Sequence, residues 1–171
     1  GNSTVTVTSA SGSPTLLSAS TTFYILKIAT TGASVINAGA TLVTDNTSGN
    51  KLWVNAGVFN MEGQTITAGT AGTLQVDSGA VFCVGGTSSA TNATCDSGAT
   101  QTGSIALPSF TTYTLDSAST INYLTNASIT ISQTPTYGNL KFSPVLTSAD
   151  KTYTLGGAMT INGDLTVNPN D

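Results

Sequence analysis

One short pattern returns along this chain and limits what it can fold into. An apolar residue is followed by Asn or Asp (once Gly), then by two small residues, then by a strand-like alternation. It reads Ile36-Asn37-Ala38-Gly39, Val54-Asn55-Ala56-Gly57, Val76-Asp77-Ser78-Gly79, Cys95-Asp96-Ser97-Gly98, Leu115-Asp116-Ser117-Ala118 and Leu155-Gly156-Gly157-Ala158. The second positions are 18, 22, 19, 20 and 40 residues apart, the last gap holding a degenerate copy near Tyr137-Gly138-Asn139-Leu140. Asn, Asp and Gly tolerate the left-handed backbone of a sharp corner, and the alternation after each corner points one side chain in and the next out. A corner recurring about every 20 residues is the mark of stacked coils.

A coil of that length cannot bury its inner face alone, whereas coils stacked at roughly 4.8 Å bury a continuous core. The sequence therefore predicts an all-β fold, a β-solenoid of about eight coils and roughly 40 Å, forming one domain over 1–171. No segment carries a 3.6-residue period, so helix is expected to be nearly absent. The competing architecture is a β-sandwich, whose strands also recur between turn residues. The return of one corner chemistry in each unit favours the solenoid.

The surface implied is uncharged. Lys27, Lys51, Lys141 and Lys151 are the only basic residues, Arg and His are absent, and the net charge is -4. Nucleic acid is excluded as a partner by the lack of a phosphate-binding patch. No apolar run approaches the ~20 residues of a membrane-spanning helix, so no membrane span is expected. Without His there is no Ser-His-Asp system, and no Asp-x-Asp pair exists among the eight acids for a two-carboxylate glycosidase. The chain is read as non-enzymatic, with no cofactor. It begins at Gly1 without Met, which suits a processed form or an excised segment.

Four groups of residues stand out. Cys83 and Cys95 flank a Gly/Ser/Thr-rich stretch. With no His and no further Cys a zinc site lacks ligands, and a disulfide is preferred to two buried thiols. A disulfide places the protein in an oxidising compartment, hence extracellular or at a cell surface. Asp77, Asp96 and Asp116 occupy one place in three repeats and should form a column. A calcium site is the sharper reading of it, and a solvated corner ladder the preferred one. Asn2, Asn46, Asn92 and Asn126 begin Asn-x-Ser/Thr sequons and are candidate glycan acceptors. Runs such as Thr4-Val5-Thr6-Val7-Thr8 raise a minor alternative, ice binding by a flat Thr array, although Thr-x-Thr does not return in every unit.

The stretches Tyr137–Phe142 and Thr152–Val167 resemble repeats of large bacterial surface proteins, the filamentous haemagglutinins and autotransporter passengers. The resemblance implies a right-handed parallel β-helix with a scaffolding or adhesive role, and it carries over no catalytic residue. Monomeric solenoids cover their end coils with a helix or a polar cap. Thr4–Thr8 and Met159–Val167 instead read as bare strands. The expected function is a filament subunit adding copies of itself end to end, Val5 and Val7 meeting Ile161, Leu165 or Val167 of the next copy. The alternative is an adhesin segment that binds a glycan or another surface protein.

Overall fold

The computed structural model describes residues 3–31, 34–85, 95, 104–145 and 150–168. The chain winds through coils that each visit three sides in turn. The first coil holds β1 (Thr4–Val7) and β2 (Thr21–Phe23), with a bridge at Thr15 between them. The second holds β3 (Ile25–Ala29), β4 (Val35–Asn37) and β5 (Leu42–Thr44). The third holds β6 (Lys51–Ala56), β7 (Val58–Asn60) and β8 (Ile66–Thr67). Then come β9 (Thr73–Val76) and β10 (Val81–Val84), followed by β11 (Thr112–Leu115), β12 (Thr120–Tyr123) and β13 (Ile129–Ile131). The remaining strands are β14 (Thr136–Tyr137), β15 (Asn139–Phe142), β16 (Tyr153–Leu155), β17 (Thr160–Ile161) and β18 (Leu165–Val167).

Strands stack in the orders β1-β3-β6-β9-β11 on the first side, β4-β7-β10-β12-β15-β18 on the second and β2-β5-β8 on the third. The pairs β14-β17 and β13-β16 continue the first and third sides in chain order. Every pairing among these strands is parallel. Parallel ladders on all sides make a parallel β-solenoid and exclude the antiparallel sheets of a β-sandwich. No helix occurs among the described residues.

The alternation does what the sequence demands of it. On the first side Leu26, Leu52 and Leu74 form one fully buried inward column, and Ile28, Val54 and Val76 form the next. On the second side Ile36, Phe59, Phe82, Ile121 and Leu140 stack in register and are all 0% exposed. Aromatic neighbours tighten the stack, with Phe59 and Phe82 centroids 5.7 Å apart and Tyr123 and Phe142 at the same 5.7 Å.

Coil length corrects the sequence reading. Register partners lie 23 residues apart at Val35, Val58 and Val81, and 24 apart at Leu42 and Ile66 or Ile129 and Tyr153. Apart from one longer coil, the spacing runs from 19 at Thr120 and Asn139 to 27 at Ala29 and Ala56, so the period is near 24 rather than 20. One coil spans 39 residues, from Val81 to Thr120, where the sequence had counted two units.

The shorter period arose because the recurring pattern sits at three different corners. Gly57 and Gly79, with φ of 78° and 73°, turn the chain from the first side to the second. Gly39, with φ 74°, lies instead after β4, at the corner from the second side to the third. Gly156 follows β16 and leads from the third side to the first. A Cβ on Gly57 would also stand 1.7 Å from Thr30 Oγ1, so both conformation and space require glycine there.

Candidate functional site

The outer face of the first side carries the densest side-chain network among the described residues. Its outward columns are Thr4, Ile25, Lys51, Thr73, Thr112 and Thr6, Lys27, Trp53, Gln75, Thr114. Hydroxyls hold both ends of this face. Ile25, the two lysines, Trp53 and Gln75 fill its middle, which leaves no continuous Thr lattice on this side.

Trp53 is the centre of the group and the chain's one tryptophan. Lys27 Nζ stands 4.1 Å from its ring centroid and Lys51 Nζ 5.4 Å. The indole Nε1 donates to Asp77 Oδ2 at 2.8 Å, as does Asn55 Nδ2 at 2.8 Å. Gln75 Nε2 donates to Asp77 Oδ1 at 2.6 Å, and Lys51 Nζ donates to Gln75 Oε1 at 2.7 Å. These side chains come from three successive coils, so the network ties the coils together laterally and fixes the plane of the indole.

Asp77 is held by these donors. Burial raises its carboxyl pKa, but the hydrogen bonds from Gln75, Asn55 and Trp53 and the nearby Lys27 charge outweigh burial and bring it below 3.8. A depressed folded-state pKa adds stability that is present above the ordinary value and fades as pH falls through the lower one. Melting curves between pH 5 and pH 2 should therefore show a loss in the native chain that is smaller in Asp77→Asn (roughly this range). Equal pH slopes in the two proteins would contradict the assignment.

Two of the three aspartates of the expected column are among the described residues. Asp77 N donates to Val54 O and Asp116 N to Val76 O, each at 3.0 Å, which places the two aspartates on the same corner of adjacent coils. β9 pairs directly with β11, and Asp96 lies outside the described residues. Asp116 Oδ1 accepts from the Ala118 N–H at 2.9 Å, the solvated-corner geometry. Both oxygens of Asp77 face N–H donors, an arrangement that suits an anchor for side chains rather than a calcium ligand. No cluster of His, Cys, Asp and Glu that could hold a metal ion occurs among the described residues.

Cys83 and Cys95 are joined by a disulfide, with Cα atoms 6.4 Å apart. Cys83 points outward from β10, yet both cysteines are 0% exposed and pack with Val35, Val58 and Leu124 on the outside of the second side. Of the sequons, Asn46 is exposed and its Oδ1 accepts from Thr70 N at 3.3 Å, whereas the Asn126 Oδ1 is buried. Asn2 and Asn92 lie outside the described residues.

The residues expected to meet in assembly stand on different sides. Val5 and Val7 lie in inward columns of the first side, in which Ile161 of β17 belongs. Leu165 and Val167 belong to the second side, above Leu140 and Phe142. In a straight continuation Ile161 therefore meets Val7, while Leu165 and Val167 meet the Pro14–Leu16 stretch that runs along β4.

The Trp53 network escaped the sequence reading. The signal was there: Lys27, Trp53 and Gln75 are successive outward positions at spacings of 26 and 22, visible only once the coil length is right. Comparison with protein-family models, with curated proteins and with solved structures returns no match. Geometry and chemistry alone carry the functional reading.

Proposed function

We propose that this protein is a non-catalytic structural subunit of an extracellular filament, lengthened by stacking coil on coil between copies. The observation that carries the reading is the apolar side chains left exposed on the last described coil. Leu140 and Phe142 are 0% and 5% exposed beneath β18, whereas Leu165 and Val167 of β18, which continue the same columns, are 57% and 67% exposed. Leu155 of β16 is likewise 57% exposed. A further coil in register would bury these side chains as β18 buries its own neighbours. The Cys83–Cys95 disulfide supports an oxidising compartment. Among the described residues no helix is long and apolar enough to cross a membrane.

The edge backbone supports the same docking. Asn162 N donates to Tyr137 O at 2.9 Å, and alternate residues of a parallel strand bond to opposite sides, so the Ile161 N–H faces the open edge. Strand addition there is β-augmentation, and its head-to-tail form does not close on itself. The native chain should form fibres of constant width by electron microscopy as concentration rises. Ile161→Pro should remain monomeric by light scattering while keeping the β-sheet circular dichroism of the other coils. A native chain that stays monomeric at high concentration would rule the reading out.

A further inference from the structure

We infer that the Trp53 face of the first side is a binding site for a uronate-bearing, linear polysaccharide. This goes beyond the filament reading, since it concerns a lateral face and not the coil ends. The site is built from Lys27, Lys51, Trp53, Asn55, Gln75 and Asp77. Half of the chain's four lysines converge on its one tryptophan. The Lys27 ammonium has no hydrogen-bond acceptor among the described residues; it lies 4.1 Å from the indole centroid and its charge also acts on the Asp77 carboxylate. Lys51 uses one N–H on Gln75 and keeps two donors for a ligand. The two ammonium groups that lie against the one ring can clamp one carboxylate, and the half-buried indole keeps part of its apolar surface for the C–H groups of a sugar.

The network also fixes the platform in advance. The Asp77 carboxylate holds the indole N–H, Asn55 Nδ2 and Gln75 Nε2 together, so little side-chain freedom is left to lose on binding. Asn55 donates to Asp77 and leaves its Oδ1 as an acceptor for a sugar hydroxyl. Thr6, Thr73 and Thr114 adjoin the group with further hydroxyls on the same face. Asp77 and Asp116 lie on the adjoining corner, and their charge disfavours a dense polyanion such as nucleic acid or polyphosphate. One carboxylate per sugar, with apolar ring faces between, matches this balance.

Trp53 is its own reporter, because no other tryptophan contributes to the fluorescence. The full chain would be titrated with oligogalacturonate, with the corresponding neutral galactan oligomer and with polyphosphate as comparisons. Oligogalacturonate should change the emission saturably. The double variant Lys27→Gln/Lys51→Gln, melting like the native chain, should bind about tenfold more weakly, and Lys151→Gln on another side should bind normally. Absence of a saturable change with oligogalacturonate overturns the inference. So does an equal response to the neutral oligomer or to polyphosphate, or unaltered binding in the double variant.

Discussion

Replacing Phe82 by Ala should lower the stability of the solenoid by about 3–5 kcal/mol, the largest loss expected from any single side chain here. Phe82 is 0% exposed and stacks between Phe59 and Ile121 in register on the second side. Its ring lies 5.7 Å from that of Phe59. In a globular core neighbours can relax into the space left by a truncated ring. Here the strands on both sides are pinned by parallel ladders at the coil spacing, so collapse along the axis would break backbone hydrogen bonds. The cavity stays, and its cost adds to the lost transfer free energy. Urea unfolding followed by circular dichroism measures the effect. Val167→Ala, at a residue 67% exposed in the isolated chain, should cost well under 1 kcal/mol in the same assay. A Phe82→Ala loss as small as that would mean that the stack is softer than its ladders imply.

That contrast also separates what the sequence could reveal from what it could not. The inward columns were legible because hydrophobic alternation is local: Leu74 and Val76 or Phe82 and Val84 declare their face within four residues. The corners were legible as turns for the same reason, since Asn55-Ala56-Gly57 and Asp77-Ser78-Gly79 need a left-handed glycine wherever they occur. Which corner each belonged to was not local. Asn37-Ala38-Gly39 has the same chemistry at another vertex, and the 39-residue coil carries an extra Asp-Ser-Gly at Asp96.

Long-range register depends on such counts, and the 26 residues from Lys27 to Trp53, six more than a 20-residue unit, were enough to hide the network. With the observed spacings of 26 from Lys27 to Trp53 and 22 from Trp53 to Gln75 the outward positions align, and Lys27, Trp53 and Asp77 become one cluster. Which side a terminal strand lies on was equally non-local: Leu165 and Val167, expected with Ile161 as candidates to meet Val5 and Val7, lie on the second side and not the first.

Removing the disulfide should have the second-largest effect. Cys83 and Cys95 close a loop of sequence separation 12, for which the chain-entropy estimate of stabilisation is about 3 kcal/mol. Packing adds to the constraint. Both cysteines are 0% exposed, and with Val35, Val58 and Leu124 they form a small apolar cluster separate from the main core. Val35, Val58 and Leu124 come from three different coils, so the cluster bound to Cys95 spans the stack on the outside of the second side. Cys83→Ala/Cys95→Ala should therefore lose about 2–4 kcal/mol in urea unfolding, and native chain with reductant should lose a similar amount. The two single variants separate the contributions. Cys83→Ala shortens a β10 side chain held between Asn60 and Asn122 in the ladder, whereas Cys95→Ala shortens a side chain that lies outside the ladders in the same apolar cluster as Val35 and Val58. Because either variant breaks the covalent bond, a difference between them reads packing alone. Stability within about 0.5 kcal/mol of the native value in the double variant would show that the ladders alone hold the outer cluster in place.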